Sequence, residues 1–513
     1  MLVPLKIPPG IYGNGTEYQG AGRWITASLV RWHEGSMGPV GGWQTREVSA
    51  NVDYGGGDFG EGDYGATAGD AVLSLEEPPR AALSWSDLSG LSHFAIGTAT
   101  ELLAITEAGI TTGITPTDLT EGIADADDNT GFGGGYFGRE AYGDQRQDAG
   151  SYVEATTWAL DNWGEYLLAC SNADGVIYQW TLEGIAEPLP NAPVDNLSMM
   201  VTAERFVFAL GAGGNPRLVA WSDRENNAVW APLATNEAGD LELQTNGQIM
   251  CGIRVKGQSL ILTDIDAHVA TYQGPPYVYG FQRVGTSCGA VSRKAVAALD
   301  SGAFWMGSRG FFAFAGDAVQ EIACEVFDLV FNDINAVQQS KVYAVANAQY
   351  NEVWWFYPAD DDLENSRYVT YSVRGNHWSM GVVSRTAGFD RGVFRNPIWF
   401  AADGTAYDHE IGFGHDGSPV FAESGPMQLG NGDQVYMSTS LIPDERTQGD
   451  LTATFKTKFH PNATEADHGP YSMANPVSVR FTGRQVRMRV DAARDTDWRL
   501  GVPRLEVRPG GLR

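Results

Sequence analysis

Residues Phe304 to Ile322 read FWMGSRGFFAFAGDAVQEI. Two aromatic-rich runs, Phe304–Met306 and Phe311–Phe314, are joined by a turn bracketed by Gly307 and Gly310, and Gly316-Asp317 begins a second turn. Aromatic runs this short suit strands and are too brief for ordinary helices. The stretch therefore predicts a β-meander.

The pattern recurs. An apolar run, a polar or glycine turn and a second apolar run start at residues 102, 167, 206, 260, 304, 353 and 398, at intervals of 65, 39, 54, 44, 49 and 45. Hairpins repeating every forty-odd residues, many with a Trp on a strand, predict β-propeller blades. A single blade cannot cover its own apolar faces, so blades stack around an axis and cover one another. Consecutive sandwich domains also give short strands at regular spacing, but with longer repeats. The expectation is an all-β chain: a propeller of six or seven blades over 85–425, an N-terminal extension over 1–84, and a C-terminal β-sandwich-like module over 426–513.

Composition narrows the class. The 513 residues hold 15 Trp and 22 Phe, enough for a large core, and 63 Gly, as a turn-rich chain requires. A formal net charge of −29 argues against general nucleic-acid binding, which depends on basic surface. Cys170, Cys251, Cys288 and Cys324 fall at neither metal nor disulfide-framework spacing, so reduced thiols are expected. No run of eighteen apolar residues exists, and MLVPLKIPPG does not read as a signal peptide.

The ends differ from the blades. Arg23, Trp24, Arg31, Trp32 and Trp43 are residue types that anchor interfaces, and equally ordinary members of a packed edge. Two glycine-aromatic segments follow, YGGGDFGEGDYG with Tyr54, Phe59 and Tyr64, and GFGGGYFGREAYG with Phe132, Phe137 and Tyr142. A spacing of five fits neither strand nor helix, so these read as loops whose rings dock on a neighbouring subunit or on themselves. From Asn51 to Pro79 there are seven acids and no Lys or Arg. In Val486–Val490 apolar and Arg residues alternate strictly, placing the Arg side chains on one strand face. The tail from Asn475 carries nine Arg against four acids, which suggests docking on an acidic partner or on the body itself.

Motifs for chemistry are weak. Gly285-Thr286-Ser287-Cys288-Gly289 matches the nucleophile-elbow pattern but lies in an all-β context, where that pattern lacks its helix. Asp125, Asp127 and Asn129 hint at a cation loop, but the glycine falls one place late and Tyr136 stands where the closing acid belongs. His409 and His415 are poorly spaced for a metal. No catalytic, cofactor or metal residue is expected.

Several stretches nevertheless resemble one family. VGTSCGAVSRKAVAALDSGAFWMGSRGFFAFAGDAVQEI (284–322), SLILTDIDAHVATYQG (259–274), NEVWWFYP (351–358) and YVTYSVRGNHWSMG (368–381) are similar to the tail hub or nozzle proteins of short-tailed bacteriophages, also called packaged-DNA stabilisation proteins or tail tubular protein B. The opening PLKIPPGIYGNGTEYQGAGRWITASLVRWHEGSMGPVGGW (4–43) and the close GRQVRMRVDAARDTDWRLGVPRLEV (483–507) resemble the ends of such proteins. The acidic segment at 51–79 and the glycine-aromatic segment at 131–143 depart from the pattern. The resemblance implies a virion tail component assembled in the host cytoplasm. It implies a ring of copies, six by expectation, below the head–tail adaptor and in contact with a tail fibre or tailspike. Such a ring encloses double-stranded DNA without specific binding, retains the packaged genome, and carries no enzymatic site. A wall that DNA slides past should be acidic, which points to Asp53, Asp58, Glu61 and Asp63 or to Asp360, Asp361 and Asp362. The alternative is a propeller that binds or cleaves surface glycan.

Overall fold

A computed structural model of the chain describes residues 1–49, 70–128, 152–429, 434–460 and 463–511. Nearly all regular structure is strand; the α-helix among the described residues is the five-residue Phe327–Phe331.

Seven four-stranded antiparallel sheets form the blades. Blade 1 comprises Ala81–Ser86, Ser92–Gly97, Leu102–Thr106 and Thr111–Gly113, and blade 2 Trp158–Trp163, Tyr166–Ser171, Ile177–Trp180 and Glu187–Pro188. Blade 3 comprises Ser198–Val201, Val207–Leu210, Leu218–Trp221 and Gly239–Glu242, and blade 4 Ile249–Val255, Gln258–Thr263, Asp266–Gly274 and Val278–Thr286. Blade 5 comprises Val296–Leu299, Gly302–Gly307, Gly310–Phe314 and Val319–Ile322, and blade 6 Tyr343–Asn347, Glu352–Tyr357, Arg367–Ser372 and His377–Val382. Blade 7 has Ala387–Phe389, Ile398–Phe400 and Ala406–His409, and takes its fourth strand, Trp43–Thr45, from the start of the chain.

The first strand of each blade touches the first strands of both neighbours, and Ala387–Phe389 meets Ala81–Ser86, so the ring is closed at seven blades. The repeats seen in sequence fall one per blade. Six begin on or next to a second strand and Leu102 begins a third, which helps make the first interval long.

Blades adhere through apolar faces, with indole groups set between them. Trp158 is 1% exposed and donates its Nε1–H to Thr98 O of blade 1 at 2.7 Å; Trp355 does the same to Ala295 O, beside blade 5, at 2.9 Å. Burying an indole contributes its large area without stranding its N–H. Gly97 makes the first contact possible, because a Cβ there would lie 2.4 Å from Trp158 Cδ1.

The remaining strands form two sheets of a sandwich. One has the order Leu2–Pro4, Arg504–Pro509, Tyr436–Ile442, Val477–Gly483. The other runs Trp24–Ser28, Phe421–Ser424, Gln485–Ala492, Leu451–Lys458, Ala466–Ser472. Period-two alternation builds it: Leu451, Ala453, Phe455 and Thr457 are buried while the residues between them are not. The basic face of Gln485–Ala492 meets acids of the same chain. Arg487 pairs with Glu423 at 2.5 Å and Glu465 at 3.0 Å, and Lys458 with Glu17 at 2.9 Å.

Two divisions of the chain thus differ from expectation. Residues 1–84 are not a separate extension: they supply two sandwich strands, one blade strand and the start of blade 1. The sandwich also takes Phe421–Ser424 from before residue 426. Burial is the reason: the N-terminal strands are edges that cover apolar sheets, and Phe421–Ser424 is paired on both sides inside its sheet. One apolar core runs from Leu505 and Val486 of the sandwich to Trp354 and Trp399 of blades 6 and 7.

Candidate functional site

Three places gather polar side chains: the joint between sandwich and propeller, a groove across blades 3 to 5, and the propeller axis.

At the joint, the hairpin Val30–His33 and Ser36–Pro39 lays Arg31 between blades 6 and 7. Its Nε and Nη2 grip Glu352 at 2.7 and 2.8 Å, and Nη2 also reaches Glu410 at 2.7 Å. The Tyr350 ring lies 3.5 Å from the guanidinium carbon. Trp43 sits between His409 and His415, with ring centroids 5.3 and 5.0 Å away, and donates to Asp416 at 2.7 Å. Arg385 donates to His409 Nε2 at 2.9 Å. Burial lowers both imidazoles, that of His409 well below its usual value, and lowers the Arg385 guanidinium to about 10.

These contacts correct the expectation of interface anchors. Trp24, Trp32 and Trp43 are 4%, 6% and 7% exposed and Arg31 is buried, all within one chain. Arg23 pairs with Glu325 at 2.7 Å. Their partners lie hundreds of residues away in sequence, so residue type alone could not say whose interface they fill. Tyr54, Phe59, Tyr64, Phe132, Phe137, Tyr142, Asp53, Asp58, Glu61 and Asp63 lie outside the described residues. Asp360, Asp361 and Asp362 are exposed in the turn between the second and third strands of blade 6. Asp125 is the ion partner of Lys341, whose side chain is fully enclosed, and Asn129 lies outside the described residues. Among the described residues no group of His, Cys, Asp and Glu is arranged to hold a metal.

The groove, about 980 Å3, opens at the face where the first strands of the blades begin. Arg217, Arg283, Arg309, Asp264 and Ser287 line it, with the Phe312 ring on one wall. Asp266 anchors its floor, accepting from Thr245 at 3.0 Å and Thr263 at 2.6 Å, with His268 Nε2 at 3.1 Å. Ser287 has φ 56°, the strained region a nucleophile elbow also uses. No base lies within hydrogen-bond reach of it among the described residues, and the chain continues into blade 5 rather than into a helix. The groove can hydrogen-bond a polar ligand; its serine is not activated.

On this same face the described ends of the connection between blades 1 and 2 reach blades 5 and 6: Asp125 meets Lys341, Ala126 exchanges two 2.9 Å hydrogen bonds with Gln338, and Glu154 pairs with Arg293. Arg80 adds a pair with Glu364 at 2.6 Å. The thiols are inert, since burial pushes Cys251 up to about 12 and Cys288 to about 11.

No protein-family model and no curated protein matches the chain. Solved structures similar to it include virginiamycin B lyase from Staphylococcus aureus, at 9% identity over 65% of this chain and 95% of that one, with a TM-score of 0.41. A catalytically inactive form of that enzyme with quinupristin matches at 10% identity over 66% and 97%, with a TM-score of 0.39. PorZ, a surface component of the type-IX secretion system of Porphyromonas gingivalis, matches at 6% identity over 71% and 43%, with a TM-score of 0.38. Its own ring of seven four-stranded sheets makes the chain a β-propeller protein, with a sandwich built onto it. The expectation of a chain with no enzymatic site finds no support among these matches, one of which is an enzyme. At such identity no residue of the lyase carries over.

Proposed function

We propose that the chain is the repeating subunit of a tail hub or nozzle of a short-tailed bacteriophage. The observation that carries this is where the resembling stretches fall. They occupy blades 4, 5 and 6 (259–274, 284–322, 351–358, 368–381), the sandwich (483–507) and the segment that ties the two together (4–43). The resemblance therefore follows the whole two-body protomer rather than a common blade.

The narrow axis supports a particular form of this reading. A duplex whose major groove alone is about 12 Å wide does not fit an axis whose cavity holds about 250 Å3. Any channel for DNA must run between copies, in a closed ring below the adaptor. Its wall would be drawn from a chain of net charge −29, which keeps phosphate contacts and their salt-dependent drag low. Native mass spectrometry and negative-stain images of the purified protein test it. A closed ring of six copies is expected; a monomer at micromolar concentration, or a lumen lined by Arg and Lys, would overturn it.

A second reading rests on the groove across blades 3 to 5, whose polar rim and Phe312 wall suit a sugar chain. Retention on a glycan array by a monomeric protein would favour it.

A further inference from the structure

On the propeller axis, first strands of blades 1 to 5 border a cavity of about 250 Å3. Leu83, Leu160, Met199, Ile253 and Val296 give it an apolar wall. Asp161, Arg254, Arg293 and Lys294 give it charge, and the Cys251 thiol also lies on it.

Three of the four charged groups are satisfied by protein. Asp161 accepts the Val201 N–H at 2.8 Å, the Asn162 N–H at 2.9 Å and Arg254 Nη2 at 2.8 Å. Arg293 donates to Leu197 O at 3.2 Å and pairs with Glu154. Lys294 differs. Its backbone is held by bonds to Ser292 and Ala344, but its ammonium has neither a hydrogen bond nor an ion pair among the described residues. The residue is half-buried, and its side chain lines the cavity wall.

An ammonium carries three donors, and here all three face the cavity without a protein acceptor among the described residues. Three cations against the carboxylates of Asp161 and Glu154 leave the cavity one positive charge in surplus, in a strongly acidic chain. What the cavity lacks is a compact acceptor of negative charge with a short apolar body for the Leu and Met wall. We propose that this axial cavity binds a small organic carboxylate, with the Lys294 ammonium as its principal donor and Arg254 at its mouth.

Burial lowers the Lys294 ammonium to about 8, so the free site should hold its full charge at pH 7 and little at pH 9. The assignment is independent of ring assembly. Isothermal titration of the full chain with butyrate in chloride-free buffer is the test, with inorganic phosphate as a second arm. Saturable butyrate binding at millimolar concentration is expected, about tenfold weaker at pH 9 than at pH 7. Lys294→Met should abolish it while raising the melting temperature, because a partly desolvated and unpaired charge is gone. That gain separates loss of a site from loss of the fold, and Arg254→Gln, on the solvent side, should weaken binding without unfolding. No saturable heat, or unchanged affinity in Lys294→Met, would overturn the proposal. An equal response to phosphate would overturn the carboxylate assignment.

Discussion

Blades 1 to 6 and blade 7 are made of the same sheet by different routes. Each of the first six is one unbroken run of chain, so its four strands come with their turns. Blade 7 borrows Trp43–Thr45, and with that strand the chain bolts the sandwich to the ring. Local blades are held by apolar faces and indole groups. The borrowed blade adds buried charge and imidazoles: Arg31 with two carboxylates, and Trp43 between two histidines. The closure thus places charge and imidazoles in the core, where a change of pH can reach them.

The sharpest way to break the comparison is to remove residues 1–45. Blade 7 and the sandwich then lose edge strands together, and cooperative unfolding by circular dichroism should vanish. Arg31→Met comes next. It leaves Glu352 and Glu410 buried and facing each other, and should cost about 3–5 kcal/mol in urea unfolding. Trp24→Ala and Trp32→Ala should each cost a similar ~3–5 kcal/mol, as core positions do. Little loss of stability there would restore them as contacts to another copy.

Acid should act on the closure first. Burial holds His377, His409 and His415 below their usual value, so the folded state takes up protons less readily than the unfolded one. Their neutral forms are compatible with the fold above pH 6.5, and stability falls as pH drops below that value. Amide exchange at pH 5.5 against pH 7.5 should rise more around Trp43–Thr45 and Ala406–His409 than in blade 3. Uniform change would show that the closure is no weaker than the rest. The smallest effect belongs to Arg217→Gln: its pair with Glu242 is 42% and 43% exposed, and the loss should stay below about 1 kcal/mol.

The same contrast governs what could be read from sequence. Phe304–Ile322 announces a blade because strand, turn and strand are consecutive there, and the other repeats are visible for that reason. Trp43–Thr45 gives no such signal. A three-residue strand has no period, and its partner lies about 360 residues onward. Arg31 and Trp32 were legible as residues that anchor something, but Glu352 and His377 could be joined to them only by coordinates. Lys294 stood inside the most family-like stretch and looked ordinary, because a lack of partners leaves no trace in a string of letters. His409 and His415 read as poorly spaced for a metal; their packing on Trp43 needed the fold.

The borrowed strand also sets an order of events during synthesis. Trp43–Thr45 leaves the ribosome about 360 residues before the edge it completes. At roughly 5–20 residues per second, the opening segment waits on the order of 20–70 seconds with its apolar face uncovered. A nascent chain of this kind should therefore depend on holdase chaperones until blade 7 emerges, and premature termination after blade 6 should yield aggregate rather than a smaller wheel.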